Sequence, residues 1–258
     1  MSKKIIAITG AGKGIGEATA RLFVKNDWFV VLMDINGAAI EALAKELGKP
    51  HAVAIPCDVT NADQVNEAMV KLAQITNQQL NVLVNNAGVV EVGPFESHSL
   101  ENQHKIIEVN LKGVINTTYH ALPLLKQNKG SHIINLSSAS ALFGNPELPV
   151  YAATKSAVKS LTEGWSVGFE KYGIKVSDLL PIFVDTDMVR KYYKDYQSLT
   201  PDKVKLTAED IANIIWKAVH KNKLHWFVGT DTKTFAFLSR FLPYSIQRMI
   251  LKKVIGYK

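Results

Sequence analysis

The amino-acid sequence predicts an α/β fold: a doubly wound parallel sheet of about seven strands, with helices on both faces, in a single domain. Three observations support this prediction. Short runs rich in β-branched residues alternate with longer segments of helical periodicity. The runs around Ile5, Val30 and Val82 are apolar throughout, as in strands buried on both faces of a parallel sheet. The 258 residues contain no internal repeat, low-complexity tract or linker, and they suffice for one large domain.

The elements follow one another in a regular order. Seven strands are predicted, at KIIAIT (4–9), FVVLMD (29–34), HAVAIP (51–56), NVLVNN (81–86), HIINLS (132–137), KVSDLLP (175–181) and HWFVG (225–229). Helices are predicted between them, at 15–26, 38–48, 61–76, 97–126, 150–172 and 207–222. Because strand–helix–strand crossovers are right-handed, this alternation predicts parallel strands covered by helices on both faces.

The positive charge of the chain is concentrated near its C-terminus. The formal net charge is +7, but residues 232–258 carry six Lys or Arg and no acid, which leaves +1 for the remainder. The charge therefore does not predict a nucleic-acid-binding face. The single cysteine, Cys57, excludes an intramolecular disulfide framework and favours a reducing compartment. With no signal peptide and no run of about twenty apolar residues, the expectation is a cytoplasmic protein.

Residues 231–258 are predicted to form a basic, amphipathic helical extension of the domain that comprises residues 1–230. Pro243 is expected to divide this tail into two helices. Apolar residues recur in it at helix-like spacing, at Phe235, Leu238, Phe241, Ile246, Met249, Ile250 and Val254. Such a segment is typical of helices that lie peripherally on a membrane surface. The alternative is that its apolar face packs over a substrate pocket or against a subunit partner.

A glycine-rich turn, ITGAGKGIGEATA (8–20), follows the first strand and opens the first helix. Gly10, Gly14 and Gly16 are spaced G-x-x-x-G-x-G, a longer turn than the common G-x-G-x-x-G. Glycines allow positive φ and close approach of the backbone to a pyrophosphate, and the free N–H groups of the helix hold the anion. The turn predicts a dinucleotide-binding loop, whose other predicted cofactor contacts are Gly12, Lys13 and Ile15.

An acid at the end of the second strand predicts which dinucleotide is bound. Asp34 lies 18 residues beyond Gly16, where a carboxylate can accept both ribose hydroxyls, and Ile35 follows it. A carboxylate there repels a 2′-phosphate, which favours NAD over NADP. Lys13 favours NADP instead, since its charge could contact a 2′-phosphate. The alternative for Asp34 is that it merely caps the helix that starts after Asn36.

Two further strand ends are expected at the same edge of the sheet. Asp58 and Val59 follow the third strand, and Asp58 can accept a hydrogen bond from an adenine amino group. Asn86, Ala87 and Gly88, in NNAG, follow the fourth strand, and the small residues allow backbone to lie against a cofactor. The carboxyl edge of an open α/β sheet is where such folds bind ligands.

Four residues form a candidate catalytic set. Tyr151 and Lys155 are four apart on a predicted helix, and hence on one face of it. The ammonium, together with the charge of an oxidised nicotinamide, could lower the tyrosine pKa by roughly three units, so that it acts as an acid or base. Ser138, at the end of the fifth strand, could hold a substrate oxygen. Asn110, on the long fourth helix, could hold a water that supplies protons to Lys155.

This ordered set resembles the short-chain dehydrogenase/reductase family, in its compact branch of about 250 residues. Thr9, Gly10, Gly14 and Gly16 match that family's T-G-x-x-x-G-x-G. The resemblance covers residues 4–230 and implies a Rossmann-like fold, a nicotinamide cofactor, and a catalytic triad of Ser138, Tyr151 and Lys155 with Asn110 as a fourth member. It also implies a homodimer or homotetramer, packed through the helices around 100–125 and 150–172.

The chain departs from the family pattern after the sixth strand. The family usually has Pro-Gly there, whereas this chain has Pro181 followed by Ile182. The β-branched side chain restricts φ and adds bulk near the nicotinamide. The resemblance implies that Thr186 bonds the nicotinamide carboxamide, and Pro181 and Val184 are counted with it as cofactor contacts.

The predicted activity is reversible, NAD(H)-dependent hydride transfer to or from a carbonyl or alcohol carbon. The predicted substrate contacts are Ser140, Leu142, Phe143, Phe183 and Met188, with Val89 and Val90 nearby. They are mostly apolar, which favours a hydrophobic alcohol, aldehyde or ketone. The alternatives are an NADP(H)-dependent 3-oxoacyl-type reductase and a non-catalytic dinucleotide-binding regulator. The histidines show no metal-ligand spacing, so no metal site is predicted.

Overall fold

A computed structural model describes residues 3–192, 204–238 and 241–255. Its main sheet contains seven parallel strands, β1 (Ile5–Thr9), β2 (Phe29–Asp34), β3 (Ala52–Pro56), β4 (Val82–Asn85), β5 (His132–Leu136), β6 (Lys175–Pro181) and β9 (His225–Val228). Across the sheet they are ordered β3–β2–β1–β4–β5–β6–β9. The doubly wound parallel fold predicted from the sequence is thereby confirmed. The strand order reverses between β1 and β4, and in open α/β sheets ligands bind at such a point.

Helices cover both faces of the sheet. They are α1 (Gly14–Lys25), α2 (Gly37–Leu47), α3 (Ala62–Ile75), α4 (Leu100–Ile107), α5 (Gly113–Gln127), α6 (Pro149–Gly168), α7 (Asp187–Arg190), α8 (Ala208–Val219), α9 (Thr230–Leu238) and α10 (Tyr244–Ile255). Side chains alternate along each strand. Ile6 and Ile8 of β1 therefore enter the core under α1, α2 and α8, whereas Ile5 and Ala7 enter the core under α3 and α5.

The fourth predicted helix, 97–126, differs from the expectation in two respects. It starts at Leu100 and is divided by a π-helical turn at Glu108–Lys112, between α4 and α5. Asn110 lies within this turn. Single π turns inside α-helices occur frequently at functional sites.

Several short elements were not predicted, because two to four residues carry no periodicity. They are β7 (Val184–Asp185) and β8 (Leu206–Thr207), which pair with each other in parallel, and α7 between them. The helix predicted at 150–172 ends at Gly168 and is followed by a 3₁₀ turn at Glu170–Tyr172.

The tail contains two helices, α9 and α10, and Pro243 lies between them as predicted. Four of the apolar side chains named in that prediction, Phe235, Leu238, Ile250 and Val254, lie outside the described part of the structure. Among the helices described, none has the length and apolarity that crossing a membrane requires.

Candidate active site

A cavity of about 1520 Å³ lies at the carboxyl ends of the central strands. The cofactor and substrate residues predicted from the sequence all line it except Gly12 and Gly16. Ser138, Tyr151 and Lys155 line it as well, and Asn110 does not. The structure thus brings together, in one cavity, residues that lie up to 178 positions apart between Gly10 and Met188.

The glycine loop between β1 and α1 has a backbone that only glycine accommodates. Gly10 and Gly14 have φ values of +64° and +57°. A Cβ on Gly10 would lie 2.8 Å from Cα of Ala87, and one on Gly16 would lie 2.1 Å from the carbonyl oxygen of Gly10. No side chain caps the start of α1, so no side chain competes for the N–H groups of its first turn. The first turn of α1 therefore keeps backbone donors without a side-chain acceptor next to the cavity that the loop lines, as in an anion-binding turn.

Asp34 is held in place by the loop itself. Its carboxylate accepts the backbone N–H of Gly12 at 2.9 Å through one oxygen, and that of Asn36 at 2.9 Å through the other. The cap of α2 is Asn36, whose side chain accepts from Ala39 N at 3.1 Å. Asp34 is thus a fixed acceptor on the cavity wall, and not the helix cap of the alternative reading.

Asn86 binds the glycine loop directly. Its amide nitrogen donates to the carbonyl oxygens of Thr9 and Gly10, both at 2.9 Å. The backbone N–H groups of Asn86 and Ala87 donate to the Thr9 hydroxyl at 3.0 and 3.1 Å. Asn86 therefore fixes the loop's position against β4, a role that the spacing of residues did not reveal. The Asp58 carboxylate is likewise engaged locally, accepting from the Thr60 hydroxyl at 2.8 Å.

The candidate catalytic side chains converge where β5 meets α6. The Lys155 ammonium donates to the carbonyl oxygen of Leu136 at 2.7 Å and lies 5.5 Å from the centre of the Tyr151 ring. The Ser138 hydroxyl accepts from Ser140 N at 3.1 Å and donates to the Ser140 hydroxyl at 3.2 Å. The sequence analysis missed Ser137, whose buried hydroxyl donates to the carbonyl oxygen of Lys155 at 3.0 Å. Leu136 thus binds the ammonium group of Lys155, and Ser137 binds its backbone carbonyl.

Burial controls the titration of this site. It raises the pKa of Tyr151 to about 12, and the hydrogen bond with Ser138 only partly offsets this. It lowers the pKa of Lys155 to about 8. The lowering of the Tyr151 pKa that was expected from Lys155 together with an oxidised nicotinamide is therefore not present in the protein alone, because desolvation outweighs the hydrogen bond with Ser138. At neutral pH the phenol is protonated and can act as an acid.

Asn110 is fully buried in the π turn. Its amide oxygen accepts Val89 N–H at 2.8 Å, and its amide nitrogen donates to Val89 O at 2.9 Å. A weaker contact at 3.4 Å joins it to the Thr154 hydroxyl on α6. Asn110 therefore ties the loop after β4 to α6 and takes no part in the cavity wall.

The end of the cavity that lies beside the Tyr151 ring is apolar. Val90, Val92, Leu148, Ala152 and Tyr192 form a buried cluster there, with Phe183, Met188 and Val189 packed against it. The Tyr192 hydroxyl, which no sequence pattern indicated, donates to the carbonyl oxygen of Val90 at 3.1 Å. This bond holds the segment after α7 against the loop after β4.

The segment after β6 contains the departure from the family pattern. Ile182 lines the cavity with 40% of its surface exposed. Thr186 lies over the glycine loop, since a Cβ on Gly14 would be 3.5 Å from its methyl carbon.

Comparison with known proteins places the chain among oxidoreductases. The sequence model of the short chain dehydrogenases matches residues 4–197. An uncharacterized oxidoreductase of Staphylococcus aureus (strain N315) is 33% identical over 223 residues, covering 86% of this chain and 94% of that protein. A 3-oxoacyl-[acyl-carrier-protein] reductase of Thermotoga maritima is 34% identical over 219 residues, covering 82% and 88%.

Two solved structures share the fold. A 3-ketoacyl-(acyl-carrier-protein) reductase from Brucella melitensis, complexed with NADH, aligns with a TM-score of 0.79 at 29% identity, covering 87% of this chain and 96% of its own. A short chain dehydrogenase/reductase from Burkholderia phymatum, in complex with NAD, aligns with a TM-score of 0.83 at 25% identity, covering 93% of both chains.

Proposed function

The chain belongs to the short-chain dehydrogenase family, and on this basis we propose that it is an NAD(H)-dependent oxidoreductase acting on a hydrophobic alcohol, aldehyde or ketone. The observation that carries the proposal is the convergence of Ser138, Tyr151 and Lys155 in the cavity that the glycine loop borders. The relatives' names and the bound NADH and NAD of the similar structures support the same reaction class.

The cavity fits a nicotinamide dinucleotide. The uncapped start of α1 offers N–H donors for a pyrophosphate, and the crowding around Gly10 and Gly16 explains why side chains are absent there. Asp34 offers a carboxylate for ribose hydroxyls, already oriented by two backbone N–H groups. That fixed negative charge favours NAD over NADP, because a 2′-phosphate would meet it at close range.

The chain's own residues would move the proton of the reaction. A nicotinamide bound there would supply or accept the hydride at the substrate carbon. In reduction Tyr151, protonated at neutral pH, would donate its proton to the carbonyl oxygen, and in oxidation its phenolate form would take the proton of the alcohol. Ser138 holds that oxygen by a hydrogen bond, and the Lys155 ammonium favours the phenolate that remains.

The apolar end of the cavity supports a hydrophobic substrate. Val90, Val92 and Leu148 are buried there, beside the phenol of Tyr151. An apolar chain that extends from the reacting carbon into this cluster would be removed from water, at a gain of about 0.8 kcal/mol per methylene.

A second candidate is an NADP(H)-dependent 3-oxoacyl-type reductase. It is favoured by Lys13, which lines the same cavity as Asp34, and by the Thermotoga relative's name. The two candidates differ in the coenzyme they prefer, so the test of one is also the test of the other.

The test follows the absorbance of NADH or NADPH mixed with the protein and with aldehydes and ketones of increasing apolar length. We expect turnover with NADH to exceed that with NADPH, and kcat/KM to rise up to about fourfold per methylene while the chain still fits. In Asp34→Asn, the preference for NADH should narrow. Higher turnover with NADPH would overturn the coenzyme assignment, and activity confined to compact polar carbonyls would overturn the substrate class.

A further inference from the structure

The C-terminal helices expose large apolar side chains together with cations. Phe237, Phe241, Tyr244 and Met249 are 63%, 72%, 78% and 65% exposed, and Ile246 is 38% exposed. Lys233, Arg248 and Lys252 are exposed on the same two helices. These eight residues are called the tail surface below.

The apolar members of the tail surface follow one another along the chain at the junction of α9 and α10, where Phe237 and Phe241 pack together. The ring centroids of Phe237 and Phe241 lie 5.4 Å apart. Tyr244 begins α10 three residues further on, and Ile246 and Met249 are separated by i, i+3 and so lie on one face of that helix. Exposed aromatic residues clustered in this way mark an interaction site.

Beyond Asp231 at the start of α9, the charged residues around this cluster are all cations. Residues 232–258 contain six Lys or Arg and no Asp or Glu. Arg248 and Lys252 are four residues apart on α10, one turn and two turns beyond Tyr244, so the cations flank the apolar cluster along the helix. An apolar cluster bordered by cations complements a lipid surface that carries anionic headgroups.

The same charge argues against the tail surface of a second copy as the occupant. Two tail surfaces brought face to face would place cations against cations, with no acid in residues 232–258 to offset them. An anionic lipid surface meets no such penalty, and it accepts aromatic rings at the level of the headgroups.

The tail surface borders the catalytic cavity. Thr232 and Thr234 of α9, and Leu242 just before α10, line that cavity. Leu242 is the neighbour of the exposed Phe241, so one short segment contacts both the cavity and the cluster.

We propose that the tail surface docks the protein peripherally on an anionic lipid bilayer, with the border of the catalytic cavity towards the lipid. A substrate partitioned in the bilayer would then reach the apolar end of the cavity, a consequence that rests on the function proposed above. The docking itself does not depend on that function.

The test is co-sedimentation of the full chain with vesicles of phosphatidylcholine alone and of an equal mixture with phosphatidylglycerol. We expect binding to the anionic vesicles, weakened by salt. The double variant Phe237→Ser with Phe241→Ser should bind about tenfold or more weakly. The double variant Arg248→Gln with Lys252→Gln should bind roughly tenfold more weakly to the anionic vesicles.

Two controls match these changes elsewhere on the surface. Phe95→Ser removes an aromatic ring that is 54% exposed and lies outside the cavity wall. Lys45→Gln with Lys71→Gln removes two exposed cations on α2 and α3. Both should bind within about twofold of the original chain.

Two results would overturn the proposal. The first is absence of binding to either vesicle; if the tail variants then also changed the oligomeric mass, a second copy would be the occupant. The second is equal loss of binding in the tail and control variants. Neither requires a substrate, so a failure here is distinct from a failure of the proposed reaction.

Discussion

At the scale of single residues, Lys155 is a cation placed where burial disfavours its charge. It is 5% exposed, and its ammonium is held by one carbonyl oxygen, that of Leu136, at 2.7 Å. The pKa of Lys155 is lowered to about 8 because burial removes water from the charged form. The charge of Lys155 therefore has a cost in stability at neutral pH.

This cost predicts a pH-dependent stability. Between about pH 8 and pH 10.4 the folded Lys155 is neutral while the unfolded lysine still binds a proton, so the free energy of unfolding contributed by Lys155 rises with pH. In denaturant unfolding, the free energy of unfolding of the original chain should rise relative to that of Lys155→Met across this window, by at most about 3 kcal/mol. Lys45→Met, at an exposed position, is the control for loss of a lysine. A difference that stays flat or falls with rising pH would contradict the assignment.

The types and the order of residues in the sequence identified the candidate catalytic set, but they did not predict its hydrogen-bond partners. Asn86 was expected to contact a cofactor, and besides lining the cavity it binds Thr9 and Gly10 through its amide. Ser137 was passed over although it anchors Lys155. Such roles depend on contacts between distant segments, 76 residues apart for Asn86 and Gly10, which no local pattern encodes.

At the scale of elements, the glycine loop was predictable because its spacing reports a backbone requirement directly. Gly10 and Gly14 adopt positive φ, and Gly16 has no space for a Cβ. The π turn at Glu108–Lys112 was not predictable, since one extra residue within a long amphipathic helix barely changes its periodicity. The short strands β7 and β8 carry no pattern of their own and form through pairing with each other.

The loop geometry predicts opposite effects for two glycine substitutions. In Gly16→Ala, the new methyl group would lie 2.1 Å from the carbonyl oxygen of Gly10, so the loop must shift. We expect a lower melting temperature and at least tenfold weaker NADH binding by fluorescence titration, because a shifted loop no longer aims its N–H groups at the anion. Gly164→Ala in α6 meets nothing within 4 Å and should raise stability by about 0.5–1 kcal/mol. Unchanged NADH affinity in Gly16→Ala would refute the role given to the loop.

At the scale of the whole molecule, the topology assembles one cavity from both halves of the chain. The strand ends of β1, β2 and β4 bring the glycine loop, Asp34 and NNAG to one edge, as the alternation of strands and helices predicted. That the tail packs over the cavity was one of the alternatives drawn from the sequence, but its contacts through Thr232, Thr234 and Leu242 were not predicted, because the position of a terminal helix depends on tertiary packing. The lining of the substrate end of the cavity is therefore the part of the site for which the structure adds most to the sequence-based prediction.

The central claim is that this cavity performs chemistry through Tyr151, and the most direct measurement compares Tyr151→Phe with the original chain. For a carbonyl substrate reduced by the original chain, we predict that turnover falls by about 10²–10⁴ in the variant, because the proton donor is lost. NADH affinity measured by fluorescence should stay within about threefold, since the glycine loop and Asp34 are untouched. Unchanged turnover in Tyr151→Phe would contradict the account and would leave the cavity as a binding site with its chemistry elsewhere.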